Sequence, residues 1–238
     1  MGQTWRELIF AHWALEPAAL EAVVPRELPL DLWEGKVWLG VTPFVVTGAH
    51  PRGVPPLPWL ANFAELNTRT YVTVDGKPGI YFLSLDASRL PAVIAARRLY
   101  HLPYFHARMR ARGGQSTRIS YGSERRSGDG PPAAFRAEYG PKAGGLDGGG
   151  PLARWLAERY CLYVKDRGTQ VLRADIHHPP WPLEPAWLDV SLNTMGQPFG
   201  LDLSASPLVH FAARQDTLVW PLRPATASTE STQARPSR

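Results

Sequence analysis

The chain has 238 residues, 44% hydrophobic and 20% charged, enough for one substantial core or at most two small ones. Its formal charge of +5 comes almost wholly from arginine, which permits weak attraction to polyanions without requiring it. A single cysteine, Cys161, excludes an intrachain disulfide, MGQTWRELIF lacks a secretory pattern, and no segment nears the ~18 apolar residues of a bilayer span.

A cytoplasmic protein without a membrane partner is therefore expected, organised as one domain over residues 1–223 with a disordered tail over 224–238, PATASTESTQARPSR. The 24 prolines and 21 glycines act as frequent breakers and predict a strand-dominated chain. A short helix is expected over Pro17 to Val23, ahead of Pro25. Strands follow over Lys36 to Val46, Asn62 to Val74 and Gly79 to Asp86, the last two joined by DGKPG. Ser88 stands where it can cap a helix in RLPAVIAARRLY, whose Leu90, Val93, Ile94 and Leu99 lie near helical spacing. Further strands are predicted over Tyr104 to Arg112, Gln115 to Glu124 and Ala133 to Tyr139. After the flexible connector GGLDGGG, Pro151 sits at the N1 place of a helix in LARWLAERY. Strands over Tyr160 to Lys165 and Thr169 to His177, and short ones near Val209 to Phe211 and Thr217 to Trp220, complete the pattern. No internal repeat is present.

Within the second strand, FAELNTRTYV, alternation puts Glu65, Asn67, Arg69 and Tyr71 on one face and Leu66, Thr68, Thr70 and Val72 on the other. So polar a row is either a wet outer surface or the lining of a cavity. Glu65 and Arg69 would stand about 13 Å apart along the strand, so one small ligand could touch both although they could not bond each other. A hairpin through DGKPG could instead set Asp86 opposite Arg69 and Ser84 opposite Tyr71, giving Arg69 a purely structural cross-strand partner.

The ordered stretches FAHW, FAELNTRTYV, GKPGIYFLSLDA, RRLYHLPYFHARM, ERYCLYV, HHPPWPLEPA and LVHF with VWPLRP run from about Trp5 to Pro224. In them the chain resembles the YqjF-like family of bacterial proteins, within the acetoacetate decarboxylase-like superfamily. The resemblance implies an α+β, β-rich fold: an antiparallel β-barrel with a few short peripheral helices and an internal cavity. Decarboxylase relatives work through a lysine that forms a Schiff base, its pKa lowered by a second lysine in a Pro-Lys-Lys run. Here Pro103 is followed by Tyr104 and Phe105, and neither can form an imine. The four lysines, Lys36, Lys77, Lys142 and Lys165, all occupy turn, loop or strand-end contexts suited to exposed amines. The aromatic-x-Glu part of the decarboxylase signature is similar to Phe63-Ala64-Glu65, which implies an inward-facing Glu65.

Among the histidines, His12 and His106 are the cavity candidates, His106 because it adjoins the turn that carries the decarboxylase lysines. No H-x-x-x-H or H-x-H spacing suggests a metal site, no G-x-S-x-G elbow appears, and neither GGLDGGG nor GAHPRG has the context of a nucleotide loop, so no cofactor is expected. Arg108, Arg110 and Arg112 share a strand face, with Arg118, Arg125 and Arg126 close behind. They lack the interleaved aromatics or groove helix of a nucleic-acid surface, so nucleic acid is not an expected partner. The nine tryptophans suit core filling, and Trp59 in PPLPWLANF could form a lip beside the Glu65 strand.

The expected function is binding of a small organic molecule, an anion among the candidates, in the interior. Glu65, Asn67, Arg69, Tyr71 and His12 would supply polar contacts, with Tyr104, Phe105 and His106 opposite. Two alternatives stand beside it: a cofactor-free enzyme using Glu65 and His106 as acid and base on a small carboxylic acid, and an interaction or polyanion-binding module built on the Arg108 to Arg126 surface. Oligomeric state is left open by the sequence.

Overall fold

The computed structural model describes residues 1–51, 53, 61–113, 117–144, 149–166, 168 and 170–225. In chain order the elements are β1 (Gly2–Leu15), α1 (Pro17–Glu21), β2 (Val37–His50), β3 (Phe63–Val74), β4 (Lys77–Ala87), α2 (Leu90–Tyr100), β5 (Tyr104–Arg112), β6 (Ile119–Arg125), β7 (Ala134–Pro141), α3 (Gly150–Ala157), β8 (Cys161–Lys165), β9 (Val171–His177), β10 (Glu184–Asn193), β11 (Leu208–Val219) and β12 (Arg223–Pro224). Trp59, residues 145–148 of the glycine-rich connector and the tail from 226 onward lie outside the described residues. No described helix is long and apolar enough to cross a membrane.

All twelve strands belong to one hydrogen-bonded sheet, in the order β12-β9-β8-β4-β3-β2-β1-β11-β10-β7-β6-β5. Pairings β4 with β5 and β9 with β11 return the order upon itself, so strands β4-β3-β2-β1-β11 form a wall shared by two circuits. The outer edge of β4 is divided: Ile80 and Tyr81 pair with β8, whereas Leu85 to Ala87 pair with β5. β11 is divided likewise, His210 and Phe211 pairing with β10 and Leu218 and Val219 with β9. One face of the wall, with Ile9, Ala11, Val41 and Leu66, packs against Ile119, Tyr121, Phe135, Ala137 and Tyr139 of β6 and β7 into a filled core. The opposite face meets β8, β9, α2 and α3, with Phe10, Phe44, Ile80, Phe82, Leu162 and Ile176 in its apolar clusters.

Several expectations need correction. The sheet is not wholly antiparallel, since β4 runs parallel to both β5 and β8. β1 and β10 carry no predicted strand. Residues 8–13 of β1 are buried without a break, so the half-buried alternation that marks a strand is missing, and prolines at 182 and 185 mask β10. The two short strands expected near the C-terminus are one, β11, because its polar middle pairs with β1 through Arg6–Arg214 and Trp5–Gln215. Ser88 does not cap α2; its hydroxyl accepts the Ala64 N–H at 3.1 Å and fastens the end of β4 to β3. Pro224, assigned to the tail, pairs with Leu172 in β12.

The β3–β4 hairpin turns tightly at Asp75-Gly76, both with positive φ, which pairs Val74 with Lys77. This register sets Arg69 opposite Phe82 and, beyond an irregularity at Thr68, Leu66 opposite Asp86. Asp86 therefore does not meet Arg69. Its Oδ1 accepts hydrogen bonds from Nε and a terminal nitrogen of Arg125, at 3.1 and 2.9 Å, with both side chains buried. Burial raises Asp86 to about 6 although Arg125 opposes the shift. Arg125 is thereby withdrawn from the expected basic surface, Arg118 is paired with Glu138, and Arg108, Arg110, Arg112 and Arg126 are the exposed remainder.

Because the Arg125–Asp86 pair joins β6 to the wall in a dry setting, Asp86→Asn or Arg125→Met alone should cost about 3–5 kcal/mol in urea unfolding. The double substitution Asp86→Leu, Arg125→Met should cost less than either single change, since no lone charge is left behind. Additive losses would contradict this account.

Candidate functional site

β3 is buried from Glu65 through Val72, both faces included, because the wall is covered on each side. Its polar side chains are consequently taken out of water. Glu65, Asn67 and Arg69 face a pocket of about 80 Å³, joined by Thr42 and Phe44 of β2 and by Trp5 and Leu8 of β1. Glu7, at φ 55, interrupts the register of β1 between Arg6 and Ala11, which lets Trp5 and Leu8 look the same way despite their odd spacing. Ile80, Phe82 and Leu85 of β4, Leu162 of β8, Ile176 of β9 and Val219 of β11 supply the apolar side. Met1, Gln3, Tyr100, Tyr104, Arg159, His178 and Trp181 also line it.

The Tyr104 hydroxyl donates to Glu65 Oε2 at 2.9 Å. Burial pushes the Glu65 carboxyl up to about 8 against the opposing effect of that bond, so the acid is neutral near pH 7. Burial, then the neighbouring Glu65, raises the Tyr104 hydroxyl well above its usual value, so Tyr104 remains a donor.

Arg69 is 5% exposed, and its Nε and one terminal nitrogen have no hydrogen-bond partner. Among the described residues, ion pairs join the buried Arg125 to Asp86 and the buried Arg159 to the half-buried Asp31, leaving Arg69 without a carboxylate. The rings of Phe10 and Tyr71, 5.2 and 5.8 Å from its Cζ, give partial compensation. Asn67 Oδ1 and Thr42 Oγ1 are also buried without partners. His12 and Tyr71 lie behind Arg69 rather than on the pocket wall, their Nε2 and hydroxyl 2.6 Å apart. Burial, then Arg69 and His210, holds His12 well below its usual pKa, so it is neutral. Gly40 pairs with both His12 and Arg69, and a Cβ there would come within 3.1 Å of the imidazole and 3.4 Å of Arg69 Cγ. Any larger residue there would press on both side chains.

Of the residues singled out from sequence, the fold thus gathers Glu65, Asn67, Arg69 and Tyr104 on one pocket. Phe105 and His106 lie elsewhere: Phe105 stacks under Arg125 at 3.8 Å, and the His106 backbone N–H donates to Asp129. Sequence reasoning missed Thr42, Arg159 and Gly40. Gly40, a glycine inside the strand run VWLGVT, carried a readable signal of close approach. Arg159 had none, since its place depends on the joint between α3 and β8. No lysine lines the pocket: Lys36, Lys77 and Lys165 pair with Glu16, Asp175 and Glu27, and Lys142 is exposed. No cluster able to hold a metal ion occurs among the described residues.

Residues 2–216 match the DUF2071 family, described as an uncharacterized conserved protein. The chain belongs to this family. Within reach of ordinary sequence comparison, the DUF2071 chain is 44% identical over 225 residues to the uncharacterized protein YqjF of Bacillus subtilis (strain 168), covering 94% of the chain and 91% of that relative. Among solved structures it is similar to the enduracididine biosynthesis enzyme MppR complexed with pyruvate, with TM-score 0.67, 12% identity, and coverage of 94% and 90%. It is also similar to an acetoacetate decarboxylase-like enzyme from Sphingomonas wittichii RW1, with TM-score 0.62, 13% identity, and coverage of 94% and 92%. The DUF2071 chain therefore has the acetoacetate decarboxylase-like fold.

A carboxyl titrating at about 8 in the folded state and near 4.5 when unfolded leaves a pH signature. Its contribution to stability is complete below about 4.5 and is lost as pH rises toward 8, roughly 5 kcal/mol in all. Glu65→Gln should flatten this part of the pH profile of chemical unfolding. A profile unchanged by the substitution would place the Glu65 carboxyl in water.

Proposed function

We propose that the protein binds a small organic anion in this pocket, with Arg69 as the counter-charge. The observation that carries the reading is the Arg69 guanidinium, buried, unpaired and facing a pocket whose nearest acid, Glu65, is neutral. A cation held in this condition is costly to the empty protein, and a bound carboxylate would repay that cost with charge-assisted hydrogen bonds. Thr42 and Asn67, paired across β2 and β3, stand beside it to contact the same anion. The pyruvate complex of MppR, on the same fold, is in keeping with a small carboxylate as ligand.

A second reading has its own support. Glu65, neutral near pH 7 and bonded to Tyr104, is suited to give or take a proton at a bound acid without any cofactor. Exchange of solvent deuterium into pyruvate, followed by NMR and abolished in Glu65→Gln, would establish it; absence of exchange in the wild type would remove it. Lysine-based imine chemistry is not part of either reading, because no lysine lines the pocket.

At ten times its dissociation constant, a bound carboxylate should raise the melting midpoint by roughly 3–6 °C. Arg69→Met should abolish that rise while increasing the midpoint of the ligand-free protein; Arg110→Ala, on the exposed face of β5, should retain the rise. A shift that persists in Arg69→Met would overturn the proposal. Binding should weaken as pH climbs through about 8, where Glu65 becomes a second negative charge in the pocket, and Glu65→Gln should remove that dependence. Borohydride treatment in the presence of keto acids should leave the protein mass unchanged.

A further inference from the structure

We infer that the bound anion is a short hydroxy acid, its hydroxyl taken by the indole N–H of Trp181 with that of Trp5 alongside. The inference rests on the anion-binding reading above and concerns what the anion carries besides its carboxylate.

An indole nitrogen can only donate, so a buried indole without a hydrogen bond lacks one specific kind of partner, an acceptor. The Nε1 atoms of Trp181 and Trp5 are both buried with no partner, and both residues line the pocket. Trp181 is only 7% exposed. The two rings stack, their centroids 5.9 Å apart and their planes 20° from parallel, so neither N–H points into the other's π face. Arg159 adds a further donor: Nε bonds the Trp155 carbonyl and one terminal nitrogen bonds Asp31, while the other terminal nitrogen is buried and unpartnered. A lone carboxylate on Arg69 leaves these donors unanswered.

The Trp181 donor is fixed in place by the fold. It sits on a segment stiffened by Pro179, Pro180 and Pro182, and its backbone N–H donates to Glu158 Oε1 at 2.8 Å. The Phe10 ring touches both Arg69 and Trp181, with Arg69 Cζ 5.2 Å from its centroid and the Trp181 ring edge-on to it at 4.8 Å. The indole thus stands one ring away from the guanidinium. Two hydrogen bonds of about 2.9 Å, joined by the body of a three-carbon acid, are of that length.

A hydroxyl rather than an oxo group follows from Asn67. Its Oδ1 faces the same pocket, buried and unpartnered, and it is an acceptor. An oxo oxygen can answer only the donors, whereas a hydroxyl accepts from an indole and still has a proton to give. An acid without the hydroxyl leaves these buried groups unsatisfied in the complex and binds more weakly for that reason.

The test uses the whole chain and calorimetric titration with propionate, pyruvate, lactate and 3-hydroxypropionate, four acids of one carbon count. The better of the two hydroxy acids should bind about tenfold tighter than propionate and about threefold tighter than pyruvate. Trp181→Phe should remove that advantage and leave propionate binding nearly unchanged, which also reports that the pocket is intact; Trp5→Phe should reduce the advantage in part. Trp38→Phe, which deletes a buried unpartnered indole N–H away from the pocket, should retain it in full. Propionate or pyruvate binding as tightly as the better hydroxy acid, or an advantage that survives Trp181→Phe, would overturn this inference while leaving the anion site in place, provided the heat is lost in Arg69→Met. Absence of binding by all four acids, or binding unaffected by Arg69→Met, would overturn the anion site and this inference together.

Discussion

A β-strand covered on both faces has nowhere to put charge. β3 is such a strand, buried without interruption from Glu65 to Val72, and yet it carries a glutamate, an asparagine and an arginine. Much of the surrounding architecture can be understood as the response to that constraint. The Tyr121 hydroxyl holds the Glu65 carbonyl at 2.6 Å from the filled side, Thr70 bonds the Trp38 carbonyl, and the Glu65 carboxyl surrenders its charge under a hydrogen bond from Tyr104. Polar atoms left unmet include those of Arg69, Asn67 and Thr42, on the face that opens to the pocket, and those of Thr68 and Ser84 away from it.

Three arginines are buried among the described residues, and their charges are met differently. Arg125 is fully enclosed with Asp86 and locks β6 against the wall. Arg159 is buried, pairs with the half-buried Asp31, and lies over the rings of Trp155 and Tyr71 at 4.2 and 4.9 Å. Arg69 shares the Tyr71 ring but has no acid. The fold can provide counter-ions to buried guanidiniums and does so twice. At the third, Arg69, no carboxylate partner is supplied among the described residues, and the cost of burying the guanidinium is left uncompensated by an ion pair.

The same fold hosts different chemistry in its relatives because function resides in a few side chains placed on a common frame. In this chain Pro103 is followed by Tyr104, whose hydroxyl holds the Glu65 carboxyl.

Composition and breaker spacing were enough to establish a strand-rich chain with short helices, and β5 was legible to the residue, because local alternation survives wherever one face is wet. The same alternation placed Glu65, Asn67 and Arg69 on one face without saying which face was enclosed. β1 was invisible for the opposite reason: a strand buried on both sides loses its period. Only the tertiary structure could decide the hairpin register, which separated Arg69 from Asp86, and the crossover that brought Arg125 to Asp86 from 39 residues away. Pairing partners and burial are set by distant segments closing the sheet upon itself. Side-chain type and local period belong to the sequence; whether a charge finds a partner or a cavity belongs to the closure.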